Sequence, residues 1–393
     1  MRRNEGKEDE FFDYRITKNS KEFFFSKLNF EERGLNAMLN SLEGISLLRI
    51  LRFNYCALKA ETLRKILSGI STTRVSVIDL ESNHLGDSEA EEVARFLREN
   101  HTVEYIKICC NEIQSKGCSE IFCSLSQNTK LTAIDISNNI VKEEGASTLA
   151  ETLSKNTTLK SIYLFNTGLG DSSVKRVMES LKSNNSLALI SLGKNPFGSE
   201  GLQSIVTSLL TNNTLYSLHL DSIDVGAENM DKVFEMLRVN SNLEELSVSD
   251  CKIKNGSKIA ECLQNNNVLR LLDLGCNQIN EREGLEIAEA LKCNRSLISL
   301  TMADNPITDE VALCILDALK TNEQLRLVKL ESDVFVDISE HLLDKINEKT
   351  NKNSGLAKKK AKLKEAMLIM QKRKECIVSS LPRRLLVYLL TFL

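Results

Sequence analysis

The chain repeats itself about every 28 residues. Segment 131–141 reads LTAIDISNNIV, with apolar residues at fixed places and Asn139 as its ninth residue. The apolar pattern returns in ten other segments, several of which also have Asn at the ninth place. These begin at residues 48, 75, 103, 159, 187, 215, 243, 269, 297 and 325, with one step of 27 residues and one of 26. A unit of this length holds one strand and one helix, and it cannot bury the apolar sides of both alone. The repeat therefore predicts a solenoid in which neighbouring units cover one another.

A helix-like segment follows each strand-like one. After segment 131–141, the residues Ala146, Leu149, Ala150 and Leu153 have the spacing of one helix face. Hydrogen-bond acceptors stand where helices are expected to begin, as an N-cap or in the first turn: Asp87, Asp171, Ser199 and Asp309. An Asn stands where helices are expected to end, and we interpret it as a stop signal in the left-handed conformation. These are Asn100, Asn128, Asn156, Asn184, Asn212, Asn240, Asn266, Asn294 and Asn322.

The copies resemble the leucine-rich repeat family, whose pattern is L-x-x-L-x-L-x-x-N/C-x-L, and in particular its ribonuclease-inhibitor-like subclass with long repeats. The resemblance covers residues 20 to 345. It implies an α/β fold, a horseshoe-shaped solenoid with parallel strands on the concave face and helices on the convex face, followed by a C-terminal helical tail. The shortened copy that begins at residue 243 should disturb the stacking of the helices near Gly256.

The pattern divides the chain into five parts. We expect a disordered N-terminus at 1–19, a Phe-rich capping half-repeat at 20–47 and about eleven repeats at 48–345. A basic helical segment at 346–376 and a short apolar helix at 377–393 follow. Both ends of the repeat array need a cover, because an exposed strand edge invites aggregation.

The ninth position of the repeat carries an amide in many copies, as at Asn139. Such an amide could take part in catalysis or ligand binding, but an inward-pointing amide also satisfies backbone groups of the turn that leaves the strand. We predict the second, structural role.

Candidate partner-binding residues flank the central apolar positions of the strands, where side chains are expected on the concave face. They are Asp79, Glu81, Tyr105, Lys107, Asp135, Tyr163, Phe165, His219, Asp221 and Asp273. Tyr105, Tyr163 and Phe165 form an aromatic group in neighbouring repeats, and aromatic anchors in a polar field are typical of binding hot spots. An ordinary exposed aromatic group without a partner is the alternative.

The sequence offers no recognisable catalytic or metal motif. No P-loop, G-x-S-x-G or H-E-x-x-H sequence occurs, the four His are not at metal-ligand spacing, and the eleven Cys contain no CxxC pair. We predict no enzyme activity, no cofactor and no small-molecule substrate, although Cys109 on the concave face could be a reactive thiol. The odd number of Cys and the lack of an apolar stretch near residue 1 favour a reducing intracellular compartment with free thiols, and we expect a cytoplasmic location. The basic segment described next would add a nuclear one.

The formal net charge of −3 is unevenly distributed. Residues 345–376 hold eleven Lys or Arg against three Glu. This basic segment suits a solvated linker helix, nuclear targeting, a partner helix, or weak contact of residues 356–376 with nucleic acid or an anionic membrane.

The end of the chain, SLPRRLLVYLLTFL, differs from the repeats. It resembles the opening helix of the F-box family, and the resemblance implies adaptor contacts to Skp1 through Leu381, Pro382, Leu385, Leu386 and Leu389. It covers about 13 residues, a third of an F-box, and Arg384 replaces the usual acidic residue. An ordinary packing helix that begins with Pro, or a membrane-associated tail, would also fit.

These features favour a non-enzymatic scaffold that binds a protein partner through the concave face. One alternative is a substrate receptor of a cullin-RING ubiquitin ligase of the SCF type. Another, weaker alternative is a GTPase-activating protein of the Ran type, which shares the repeat subclass but has an acidic tail and polar loop residues for which no counterpart is found here.

Overall fold

The computed structural model describes residues 21–28, 32–42, 45, 47–71, 73–332, 334–335 and 338–354. The predicted N-terminal segment 1–19, the part of the basic segment after residue 354, and the apolar helix at 377–393 lie outside these residues. Two compact units make up the chain, Met1–Thr167 and Gly168–Leu393.

The first unit alternates strands with helices, as the repeat predicts. Its strands are β1 (Glu22–Ser26), β2 (Ile50–Asn54), β3 (Val77–Asp79), β4 (Tyr105–Lys107), β5 (Ala133–Asp135) and β6 (Ser161–Tyr163). Its helices are α1 (Glu32–Leu42), α2 (Ala60–Ile70), α3 (Asp87–Glu99), α4 (Ser115–Leu125) and α5 (Lys142–Leu153). Each strand pairs in parallel with the next one along the chain.

The second unit continues the alternation. Its helices are α6 (Asp171–Ser180), α7 (Ser199–Leu209), α8 (Ala227–Leu237), α9 (Gly256–Asn265), α10 (Glu281–Ala290), α11 (Asp309–Ala318) and α12 (Glu340–Ser354). Its strands are β7 (Leu189–Ser191), β8 (Ser217–His219), β9 (Glu245–Ser247), β10 (Leu271–Asp273), β11 (Ser299–Thr301) and β12 (Leu327–Lys329). Here too each strand pairs in parallel with its sequence neighbour.

The predicted α/β leucine-rich repeat fold is confirmed in these elements. The segment predicted as a capping half-repeat contains a strand, β1, and a helix, α1. At the other end, α12 runs past residue 345 to Ser354.

The core of each unit lies between its sheet and its helices. In the first unit, the central strand residues Ile78, Ile106, Ile134 and Ile162 are at most 1% exposed. Helix residues such as Val93 and Leu149 are equally buried. Because side chains alternate along a strand, the residues on either side of each buried Ile belong to the opposite face of the sheet. We call that opposite side the open face.

The amide at the ninth position of the repeat has the predicted structural role. Asn139 Nδ2 donates to Ile108 O and to Ile136 O, both at 3.0 Å, and its Oδ1 accepts from Ile113 N at 3.1 Å. Asn111 and Asn277 make the equivalent bonds to their own strand and to the preceding repeat. In these repeats a buried amide therefore holds the turn of the preceding repeat to its own.

The turns share a conformation that the sequence analysis missed. The residue just before the ninth position has a positive φ, close to +55°, in repeat after repeat: Tyr55, Ser82, Cys110, Asn138, Asn166, Lys194, Ser222, Asp250, Cys276 and Asp304. Asn and Asp tolerate the left-handed region, but Tyr, Lys and Cys do so less readily. The signal in the sequence is therefore weak. Ser222 has the same conformation although Ile223 follows it, so the ninth-position amide does not impose the turn; the residue instead donates its N–H to the next repeat, as Ser222 N does to Ser249 O at 2.8 Å.

The Asn residues at the helix ends act by a different mechanism from the predicted one. None of the nine has a positive φ, and Asn100 and Asn266 are extended. Instead, the side chain of Asn128 accepts from Lys130 N and Leu131 N at 2.8 and 2.7 Å, and its Nδ2 donates to Leu97 O at 2.6 Å. The prediction of left-handed stop signals is wrong, because these amides close the preceding repeat's helix through their side chains.

Candidate functional site

The open face of the first unit brings together the sequence-predicted residues of that unit. The strand register places Arg52, Asp79, Lys107, Asp135 and Tyr163 side by side on consecutive strands. Neighbouring strands are about 4.8 Å apart, so these side chains form one continuous row. The row alternates in charge and ends in an aromatic ring. Arg52 was missed by the sequence analysis, although it holds the same repeat position as Asp135.

Lys107 is the central cation of this row. Its ammonium group forms an ion pair with Glu81, which comes from the turn after β3. Asn54 Nδ2 lies 3.5 Å both from Asp79 Oδ1 and from Glu81 Oε2. Burial lowers the pKa of Lys107, but the hydrogen bond to Glu81 and the charges of Asp79 and Glu81 outweigh it and raise the pKa overall. Lys107 is therefore a fixed positive charge. Arg52, further along the row, forms an ion pair with Glu22 at 3.0 Å.

The carboxylates of the row sit in a poorly hydrated environment. Burial raises the pKa of Asp79 and of Asp135 above the usual range, against the opposing effects of backbone hydrogen bonds and of Lys107. Asp135 Oδ1 accepts from Ser137 N at 3.0 Å. A cation brought to this face by a partner would stabilise the charged forms of both carboxyl groups.

Aromatic side chains flank the carboxylates. Tyr105, Tyr163 and Phe165 are each partly buried. Burial, together with the charge of Asp135, raises the pKa of Tyr105, so that its hydroxyl stays protonated and available as a donor. Phe165 N donates to Ser137 Oγ at 3.3 Å, which ties the third aromatic residue to the strand of Asp135. The arrangement offers apolar area and hydrogen-bond groups at the same place.

Cys109 does not fit the prediction of a reactive thiol. The residue is buried, and burial, followed by the nearby charge of Asp135, raises the pKa of its thiol. A protonated thiol is a weak nucleophile.

The open face of the second unit holds the remaining predicted residues, and it contains a Ser, a His and a Glu in contact. His219 Nε2 lies 3.2 Å from Ser217 Oγ and 3.2 Å from Glu245 Oε1, and Ser217 Oγ lies 3.0 Å from Glu245 Oε2. In a hydrolase triad the Ser and the carboxylate contact different ring nitrogens of the His. Both contacts here use Nε2, and Ser217 is fully buried, so this trio is a structural network.

Asp221 and Asp273 bind groups of the protein itself. Asp221 Oδ1 accepts from the hydroxyl of Ser247 and from Ser249 N, the latter at 3.1 Å, and Asp273 Oδ1 accepts from Gly275 N at 3.0 Å. Asp79 Oδ1 accepts from Glu81 N at 3.1 Å in the same way, so the carboxylates of both units are partly occupied by the chain itself.

Among the described residues, no helix combines the length and the apolar character that crossing a bilayer requires.

Comparisons with known proteins agree with the repeat architecture. A leucine-rich repeat family profile matches residues 127–150 and 239–257. The leucine-rich repeat-containing protein LegL7 from Legionella pneumophila is 14% identical, with a TM-score of 0.50 over 83% of this chain and 98% of that one. This similarity concerns the fold alone.

A second solved structure, the actin-binding site 2 of leiomodin-1, is 24% identical over 34% of this chain and 78% of that one. Its TM-score of 0.31 carries no argument. No curated protein sequence matches the chain. The repeat pattern, the alternating strands and helices, and the matches to the family profile and to LegL7 show that the described repeats have the leucine-rich repeat fold.

Proposed function

We propose that the protein is a scaffold that binds a protein partner through the open face of its first unit. The observation that carries this proposal is the grouping of Tyr105, Tyr163 and Phe165 around Asp79 and Asp135. Aromatic rings beside buried and half-buried carboxylates resemble the centre of a protein interface.

The charges of this face indicate the chemistry of the partner. Asp79, Glu81 and Asp135 supply three carboxylates, while Lys107 supplies one ammonium group that is already engaged by Glu81. A partner segment with a Lys or Arg next to an apolar side chain would complement both the carboxylates and the rings. Such a cation also suits the faces of Tyr163 and Phe165.

Affinity purification with the full chain, followed by mass spectrometry, tests the proposal. We expect a protein that is captured by the unaltered chain and lost with the double variant Tyr163→Ala, Phe165→Ala. Phe335→Ala is the matched control, because Phe335 is an exposed aromatic residue of the second unit. Equal capture by all three chains would refute the proposal, and an unchanged melting temperature of the double variant would exclude unfolding as the cause of a loss.

A chain that ends at Cys376 separates this proposal from the ubiquitin-ligase alternative. The F-box-like residues, from Leu381 to Leu389, lie outside the described residues, and their role remains a prediction. Co-purification of Skp1 with the full chain and not with the shortened chain would support that role. Capture of the partner that binds the open face should be the same with both chains.

A further inference from the structure

Two adjacent cysteines and a carboxylate converge at the turn that follows β4. The Sγ atoms of Cys109 and Cys110 and a carboxylate oxygen of Glu81 all lie within 4.8 Å of one another. Neighbouring residues in a strand point to opposite faces, so two adjacent thiols would normally diverge. Cys110 has φ +56°, and this left-handed turn accompanies the convergence of the two sulfurs. Both thiols are free.

The surroundings of this cluster are short of positive charge. Asp79, Glu81 and Asp135 are neighbours on the open face, and Lys107 is the ammonium group that directly pairs with one of them. The other cation of the row, Arg52, is held by Glu22. A divalent cation bound next to these carboxylates would therefore be favoured by their combined field.

We propose that Cys109, Cys110 and Glu81 form a binding site for a thiophilic divalent cation of the zinc type. Two sulfurs and one carboxylate oxygen match the ligand preferences of zinc, which binds sulfur at about 2.3 Å and oxygen at about 2.0–2.2 Å in a tetrahedron. The three ligand atoms need to approach one another by about 1 Å to reach these distances, which rotations of exposed Cys110 and half-buried Glu81 supply. The fourth position is left to water. The two thiols bind as thiolates and release two protons to the solvent.

Lys107 competes with the metal for Glu81. The ion pair between Lys107 and Glu81 has to open before the carboxylate can bind a cation, and Lys107 can then pair with Asp79 or Asp135, its neighbours in the row. Removal of the ammonium group should therefore strengthen metal binding, whereas removal of the carboxylate charge should weaken it.

Titration of the full chain with Cd²⁺ tests the site, with the protein first stripped of metal and reduced by a phosphine. Cadmium bound to thiolates absorbs in the ultraviolet, and an excess of Zn²⁺ added afterwards should displace it. We expect one equivalent of Cd²⁺ to bind with the intensity of two thiolates. The signal should be lost with Cys109→Ser and with Cys110→Ser, and retained with Cys123→Ser, which alters an exposed cysteine on α4.

Two further variants test the remaining parts of the site. Glu81→Gln should weaken Cd²⁺ binding about tenfold or more, the size of effect seen when a contact around a metal site is removed, and Lys107→Met should strengthen it. The proposal is overturned if the ultraviolet signal of bound Cd²⁺ does not saturate at one equivalent. It is also overturned if Cys110→Ser retains the signal, or if Cys123→Ser loses it as well. Because Cys110 is exposed, its substitution is expected to leave the fold intact, so an unfolded Cys109→Ser variant would not block the test. Unchanged affinity in Glu81→Gln would overturn the role of the carboxylate.

Discussion

Asp87 Oδ1 accepts a hydrogen bond from Gln114 N at 2.8 Å and a second from Gly117 N at 3.1 Å. Gln114 is the residue just before α4, so the first residue of α3 caps the helix of the following repeat. Asp171 does the same for α7, through Gly198 N and Gly201 N at 2.8 and 2.6 Å. Neighbouring helices in these repeats are thus joined by side-chain caps in addition to their apolar contacts.

Asp87→Ala removes the acceptor for two backbone N–H groups at the start of α4. We expect the free energy of unfolding to fall by about 1–2 kcal/mol, the usual cost of a lost N-cap. Hydrogen exchange should become faster in the first turn of α4 and stay unchanged in the first turn of α3. Ser88→Ala, at the adjacent exposed position, is the control and should have no measurable effect; equal effects of the two variants would contradict the capping role.

Asn184 and Asn185 offer a matched pair at the end of α6. Asn184 is buried and its Oδ1 accepts from Ser186 N and Leu187 N at 2.9 and 2.7 Å, whereas Asn185 is exposed. Because Asn184→Ala leaves buried backbone donors unpaired, it should lower the free energy of unfolding by about 1–3 kcal/mol. Asn185→Ala should change it by less than about 0.5 kcal/mol. Urea unfolding of both variants measures the difference, and a similar loss in both would show that burial of the amide does not matter.

Gly256 marks the shortened repeat. A Cβ atom added there would lie 2.5 Å from the Cα and the carbonyl oxygen of Glu283, which belongs to α10. Gly256→Ala therefore requires a backbone shift between α9 and α10, and we expect it to destabilise the protein by about 1–3 kcal/mol.

Gly170→Ala provides the control for this variant. Gly170 precedes α6, has an ordinary negative φ, and has open space where the new Cβ would be. Because Gly170 is the N-cap residue of α6, where Ala is less favourable than Gly, its replacement should cost up to about 1 kcal/mol in thermal unfolding, without any backbone clash. If Gly256→Ala were as well tolerated as Gly170→Ala, the close approach of the two helices would not be a constraint on the fold.

Glu92 predicts a pH dependence of stability. It is 5% exposed and bonds to Arg64 Nη2 at 2.6 Å and to Arg95 Nη1 at 2.8 Å. The hydrogen bond from Arg64, aided by both positive charges and opposed by burial, lowers the pKa of Glu92. A carboxyl group whose pKa is lower in the folded state stabilises the protein above its unfolded pKa, and this contribution is lost as the pH falls through the folded pKa.

Glu92→Gln should consequently reduce stability at neutral pH by about 1 kcal/mol, a modest value because both Arg side chains are half exposed. The difference from the unaltered chain should shrink as the pH is lowered below the usual range of a Glu pKa. Glu91→Gln, at the adjacent exposed position, is the control. A difference that stays constant across this acidic range would contradict the assignment.

The sequence predicts the parts of this structure that recur in every repeat. The period predicts one strand and one helix per unit. The ninth-position amide is correctly predicted to bond to the backbone of the turn, because a buried amide at a fixed place in a turn has few other partners. The helix-end Asn residues show the limit of such reasoning, since a stop signal and a side-chain cap produce the same residue type at the same position.

Less of the candidate site could be predicted from the sequence. Alternation along the strands correctly places Asp79, Lys107 and Asp135 in one row. It could not show that Cys110 turns back toward Cys109, because the left-handed conformation there occupies a position where Ser, Asn, Lys and Cys all occur. Local residue preferences do not reveal a conformation that neighbouring repeats impose.

The ninth-position amides give the repeats a direction. Asn139 supplies the acceptor for Ile113 N, and Asn111 does so for Asn83 N, so a turn followed by a repeat with this amide is completed by that later repeat. During synthesis on the ribosome, the C-terminal repeat of such a pair emerges later. Such a turn should therefore reach its native structure only after the next repeat has been synthesised. If the ribosome pauses within a repeat, the backbone N–H groups of the preceding turn lack their acceptor.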